Sequence, residues 1–182
     1  MFHAEMRLKK MLESYQNGQI KCFIPMKKAI KKRLHRNEEV LIPAINDLVF
    51  VYATKKDVED FKQYYYNLTN SHAYFLTERR ETIINNEKIF KNTIAIVPNV
   101  QMYNFIRATE KLDEGVVYYK PEELELEKGQ KVRIIGGVYD GICGEIIRRK
   151  YKKKKNIVVS VPGVAVVLAN ISPDLIQIIE EN

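Results

Sequence analysis

Side chains that could carry out chemistry are sparse in this sequence. His3, His35 and His72 are scattered, and none has an acidic and a nucleophilic partner at a spacing that suggests a catalytic set. Asp57, Glu59 and Asp60 come nearest to a carboxylate cluster, but such a run on a helix is ordinarily a solvated face. Cys22 and Cys143 stand far apart without a CxxC or a Cys/His cluster, which speaks against a zinc site or a disulfide framework. Both are expected to be small buried apolar residues. There is no Walker sequence and no GxGxxG. Gly136-Gly137 sits inside a hairpin pattern and not between a strand and a helix, so it does not read as a phosphate cradle. No enzyme activity, metal or cofactor is expected.

The chemistry that the sequence does offer is cationic. Arg148, Arg149, Lys150, Tyr151, Lys152, Lys153, Lys154 and Lys155 form one unbroken run, seven positive charges around a tyrosine. Such a run can neutralise several phosphates while Tyr151 stacks on a base, a sequence-tolerant way to hold RNA or DNA. It can also be a solvated hairpin tip, although solubility alone would intersperse both signs of charge. A second run, from Lys27 to Arg36, contains Lys27, Lys28, Lys31, Lys32 and Arg33 and reads as a basic loop. The formal net charge of +7 fits acidic partners and fits simple solubility equally well.

The elements that must position these residues are clearest between Gly129 and Ile147. Val132 and Ile134 alternate with Lys131 and Arg133, the period of a half-buried strand, and Gly136 and Gly137 can take positive φ. Asp140-Gly141 is a hairpin-turn dipeptide. Beyond it Ile142, Gly144 and Ile146 share one face, with Gly144 leaving room for a neighbouring backbone. Asn156–Val161, Val164–Ala169 and Leu175–Ile179 add three short β-rich runs, so five strands are expected in a small SH3-like barrel. The valines there disfavour an alternative helical form.

Upstream, apolar spacing predicts helices over Glu5–Tyr15, Lys55–Tyr65 with Thr54 as N-cap, and Val100–Glu110. Strands are expected over Ile20–Met26, over Ala73–Leu76, and over Leu48–Ala53, the last buried on both faces. Arg79–Asn92 reads as an exposed loop and Lys120–Gln130 as a domain junction. With 182 residues, 46% of them hydrophobic and 29% charged, the chain suits two small domains. No run has the roughly 20 apolar residues that cross a bilayer, and MFHAEMRLKK lacks a secretory core, so a cytoplasmic protein without membrane contact is expected.

These segments together carry a resemblance. Gly129–Ile147, with Val132, Arg133, Ile134, Gly137, Gly141 and Gly144, resembles the KOW motif of ribosomal proteins and NusG-like elongation factors. CFIPM at Cys22–Met26, AINDLVFV at Ala44–Val51 and AIVP at Ala95–Pro98 are similar to landmarks of the N-terminal (NGN) domain of the NusG-like family, and all occur in family order. The layout most resembles the specialised RfaH and UpxY paralogues. Two departures stand out. The family domain opens on a Trp-Tyr strand, whereas this chain has no Trp and starts Met1-Phe2-His3, so either that strand is missing or Met1 is not the natural start. The Pro-Gly-Tyr loop of the family is Asn46-Asp47-Leu48 here.

The resemblance implies an α+β protein. Its expected parts are an NGN-like α/β sandwich over 1–119, a linker over 120–127 and a KOW barrel over 128–182. It further implies an antitermination or elongation factor for particular operons, of the surface-polysaccharide type, whose apolar concavity grips the clamp helices of the largest RNA polymerase subunit. Leu48, Phe50, Tyr74 and Ile96 match that surface, and Leu48 and Phe50 share a strand face by the period of two. Plain core packing would account for the same pair. The implied nucleic acids are upstream or non-template DNA, faced by the first basic run, and nascent RNA. A ribosomal protein, termination factor or inhibitor protein would be further partners of a monomer. The rival reading is a KOW-type RNA-binding or ribosome-associated protein.

Overall fold

The computed structural model describes residues 4–33, 36–84, 87–110, 116–119, 129–148, 155–169 and 171–179. In the first half the elements are α1 (Ala4–Ser14), β1 (Lys21–Phe23), β2 (Met26–Arg33), β3 (Arg36–Pro43), β4 (Phe50–Tyr52) and α2 (Lys55–Thr69). Next come β5 (Thr77–Ile84), β6 (Glu87–Ile94), α3 (Asn99–Glu110) and β7 (Val116–Tyr119). The last strands are β8 (Lys131–Ile134), β9 (Cys143–Arg148), β10 (Lys155–Val161), β11 (Val164–Leu168) and β12 (Ile176–Ile178). The class is mixed α+β.

Two compact units result, Met1–Ile24 with Asn46–Ile96, and Pro25–Ile45 with Val97–Asn182. The hairpin β2–β3 and helix α3 thus group with the C-terminal strands, a different division from one junction near 120. The expected linker, 120–127, lies outside the described residues.

In the first unit α1 and α2 lie over one face of the antiparallel pair β1–β4. Leu12, Ile20 and Phe61 are buried at the centre, with Cys22, Val49, Ala53 and Tyr65 packed around them. Burying a side chain such as Phe61 contributes about 1.5–3 kcal/mol, and its ring meets Tyr15 edge-on with centroids 5.4 Å apart. Thr54 caps α2 as expected, through a capping box in which its hydroxyl accepts from the Asp57 N–H while the Asp57 carboxylate accepts from the Thr54 N–H. The helix runs past Tyr65 to Thr69, where Asn70 takes the left-handed conformation at φ 52° and donates its N–H to Tyr66 O.

In the second unit six antiparallel strands run β12-β8-β9-β10-β11-β7. Among the described residues the pairings do not close a barrel, because the outer edge of β11 is taken by β7, which extends the sheet outward. Every residue of β11 is buried, so both faces of that strand are covered, and α3 packs against β10 and β11. Gly144 lies opposite Val132, and a Cβ on it would stand 2.6 Å from Val158 O. Gly136, Gly137 and Gly141 all have positive φ, around a short 3-10 turn at Gly137–Tyr139. The buried side chain late in β9 is Ile147, whereas Ile146 is only half-buried.

Four expectations are corrected. Within the run from Lys27 to Arg36 the described residues are strand and not loop, 27–33 in β2 and Arg36 opening β3, with Lys31 opposing Glu38 and Lys28 pairing with Glu39 at 2.9 Å. Arg79–Asn92 is exposed as expected but forms the hairpin β5–β6. Its polar sequence is held by cross-strand pairs, Lys88 to Glu81 at 2.8 Å and Arg79 over the Phe90 ring at 4.2 Å. Ala73–Leu76 is not a strand. Leu48–Ala53 is not buried on both faces, since among the described residues β4 pairs only with β1 and Tyr52 is 68% exposed.

Gly144→Ala is expected to cost about 1–3 kcal/mol, since overpacking forces the β10 backbone to move. A urea titration followed by tyrosine fluorescence measures it, and unchanged stability would contradict this packing.

Candidate functional site

The β1–β4 pair has two unlike faces because successive side chains alternate. Cys22 and Val49 face the helices. Phe23 and Phe50 are direct partners in the ladder and lie on the opposite face, with ring centroids 6.4 Å apart and both rings half-buried. Tyr52 follows Phe50 on that face, opposite Lys21. Leu48, two residues ahead of Phe50, is also half-buried. Neither Leu48 nor Phe50 lies in the deep core of the unit.

The entry to β4 is set by a buried acid. Glu5, only 6% exposed in the first turn of α1, accepts a hydrogen bond from the Asp47 N–H at 2.7 Å. Asp47 sits at φ +61°, a conformation that Asp tolerates better than most side chains. Sequence reasoning missed the carboxylate that holds this bend at Asn46-Asp47. Glu5 looked like one more polar residue on an amphipathic helix.

The other residues matched to a polymerase surface lie in the same unit and are open to solvent, Tyr74 at 81% and Ile96 at 70%. Tyr74 packs on His72 with centroids 5.7 Å apart, and His72 stacks on Tyr66 at 4.5 Å with planes 19° apart. The structure therefore brings Phe50 together with Phe23, and Tyr74 together with two other rings.

The first basic run is divided between hairpin faces. Lys27 and Lys31 fall on one face of β2, while Lys28 and Lys32 share the other with Ile30, which is 70% exposed. All four lysines are exposed, and Arg33 ends the strand. Of the second run, Arg148 ends β9 and Lys155 opens β10 as its ladder partner. Arg149, Lys150, Tyr151, Lys152, Lys153 and Lys154 lie outside the described residues. In the KOW-like segment Val132 and Ile134 are buried and Arg133 is exposed.

Three titrating groups among the described residues are displaced, one of them the Asp174 carboxyl, which the Ser172 hydrogen bond holds below its ordinary value. Burial, reinforced by the negative charge of Glu13, pushes the Cys22 thiol up to about 11, and burial pushes the Tyr118 phenol up to about 12. Tyr118 donates its hydroxyl to Met26 O at 3.0 Å. Half-buried Cys22 faces the helices as a small apolar residue, and no group of three or more His, Cys, Asp or Glu side chains able to hold a metal occurs among the described residues. No family model, curated protein or solved structure gives a significant match to the chain.

Glu5→Ala should destabilise the first unit by about 1.5–3 kcal/mol, the worth of a hydrogen bond to a charged acceptor, with Glu5→Gln losing less. Urea titrations of the two variants test this. A second expectation concerns Cys22. Because its pKa is raised, it stays a neutral thiol at pH 8, and its alkylation should accelerate only as pH climbs toward about 11. The unfolded thiol ionises nearer 9, so the stability that this burial contributes is complete below about pH 9 and lost as pH rises through about 11. Iodoacetamide rates on a Cys143→Ser variant across pH give the curve, and rapid labelling at pH 8 would contradict it.

Proposed function

We propose that the chain is a NusG-like transcription elongation factor that suppresses termination on particular operons, with no enzymatic chemistry of its own. The observation that carries this reading is the two-faced β1–β4 pair. The face of the pair away from the helices carries the ladder partners Phe50 and Phe23, both half-buried, and Leu48, just ahead of β4, is half-buried as well. Aromatic and aliphatic side chains on a rigid strand suit the apolar face of a partner helix. The family resemblance names that partner as the clamp helices of RNA polymerase.

Three further features support the reading. The order α1, β1, β4, α2 suits an NGN-like sandwich that has helices on one side of an antiparallel sheet. The five strands β8 to β12 form a meander whose last member returns to pair with the first, reached through a 3-10 turn at Pro173–Leu175. That connectivity suits an SH3-like KOW module. The two basic runs, one on a hairpin and one between β9 and β10, supply the cationic surface that a protein beside DNA and nascent RNA needs. A cytoplasmic location follows from this role.

Replacing Leu48 and Phe50 together by Ser should abolish capture of RNA polymerase from a cell lysate while leaving affinity for RNA unchanged, with folding checked by thermal melting. Retained polymerase capture would overturn the assignment. Capture of ribosomal subunits in its place would favour the KOW-type RNA-binding reading. Neutralising Lys152, Lys153, Lys154 and Lys155 to Gln should weaken nucleic-acid binding. It should also reduce the slope of log affinity against log salt by up to about 4, and an unchanged slope in that titration rejects a phosphate role for this run.

A further inference from the structure

We infer that Tyr66, His72 and Tyr74 form a stacking platform for the unpaired bases of a single-stranded nucleic acid, and that Tyr74 serves this platform and not the polymerase surface. The three rings come from a helix and from the segment after it. Tyr66 lies in the last turns of α2, and the chain then reverses through Asn70, left-handed at φ 52° and tied by its N–H to Tyr66 O at 2.8 Å. The Ser71 N–H donates to Thr69 Oγ1 at 3.2 Å, so the reversal is fixed at two successive residues. His72 is thereby laid on Tyr66 nearly parallel, at 4.5 Å and 19°, and Tyr74 continues the series at 5.7 Å and 36°.

Core packing does not explain this group. The core ring Phe61 is 1% exposed, edge-on to Tyr15 at 80° and nearly parallel to Tyr65 at 25°, so burial and not ring angle marks the core rings. The Tyr66–His72–Tyr74 series lies at the surface instead. It grows more open from Tyr66, 38% exposed, to Tyr74, 81% exposed, so the outermost ring offers its surface to solvent. A nucleobase has the flat, polar-edged shape that adds to such a series as a further member, whatever its sequence identity. The helix cap fixes the backbone turn that brings the segment carrying His72 and Tyr74 back toward Tyr66.

Charge is in place as well. Lys62 lies one helical turn before Tyr66 on the same face of α2, and its ammonium stands 4.4 Å from the ring centroid of Phe75, the residue after Tyr74. A strand whose base rests on Tyr74 would bring its phosphates toward that cation.

The test uses the full chain and fluorescence anisotropy with labelled 12-nucleotide probes at fixed salt: oligo-dT, oligo-U, and an oligo-dT in which the central bases are abasic. Tyr74→Ala should weaken binding of the intact strands about tenfold or more, Tyr74→Phe should restore it, and affinity for the abasic probe should not change with either substitution. Equal effects on dT and U make any single strand the ligand, whereas a preference names DNA or RNA; both support the platform. Unchanged affinity in Tyr74→Ala overturns it, as does an equal loss on the abasic probe, since neither is stacking. Polymerase capture by the same variant separates the two surfaces. Tyr74→Ala should retain it while Leu48→Ser with Phe50→Ser loses it, and loss of capture with intact oligonucleotide affinity would return Tyr74 to the polymerase surface.

Discussion

A single hydrogen bond governs how the first unit presents itself, the one from the Asp47 amide to the buried carboxylate of Glu5. It joins the first turn of α1 to the residue that reverses the chain ahead of β4. In a strand, a shift of one residue exchanges the two faces. If the bend at Asp47 let the chain enter one position late, Phe50 would turn toward Phe61 and Val49 would turn outward. Holding a left-handed residue with a carboxylate acceptor therefore fixes which of two apolar sets becomes core and which becomes surface. An exposed hydrogen bond of this kind would contribute little, but Glu5 is nearly enclosed, and a buried acceptor without its donor is costly.

How much of this was legible in the sequence depended on whether local pattern alone decides. The three helices and the last strands were, the strands because alternation coincides with burial, as at Val132 and Ile134, and the helices by their spacing even though Val100 and Tyr103 of α3 stay exposed. The glycines were legible for the same reason, as Gly141 needs its positive φ and Gly144 its missing side chain. The hairpins β2–β3 and β5–β6 were not. Their strands carry charges on both faces, so the alternation that marks a half-buried strand is missing. What holds them is cross-strand pairing, such as Lys28 with Glu39 and Lys88 with Glu81, which only the register reveals. Isolated exposed ion pairs contribute little each, so backbone pairing over eight residues has to do most of the work.

The candidate sites divide along similar lines. The period of two puts Leu48 and Phe50 on one side, but only Phe50 belongs to the strand, and the apolar run Leu48–Ala53 suggested burial on both faces. The run is apolar on both sides because one side packs on the helices while the other is kept half-open, and a sequence cannot distinguish those two reasons. The ring series was hidden for another reason. Tyr66, His72 and Tyr74 have no common helical or strand spacing; they meet only because Asn70 turns the chain by a left-handed step. The one available clue was an Asn placed after a helical run, which is a helix stop and says nothing about what the stop brings together.

Read as a loop, Lys27–Arg36 would be one cationic patch. Folded as a ribbon, it sends Lys27 and Lys31 to one side and Lys28 and Lys32 to the other, and Glu39 already pairs with Lys28. A flat anionic surface would meet only half of these lysines. An edge-on ribbon, by contrast, can sit in a groove with phosphates on either side, and a two-stranded ribbon has the width for the major groove of a duplex. The hairpin's charge is thus arranged for straddling and not for lying flat.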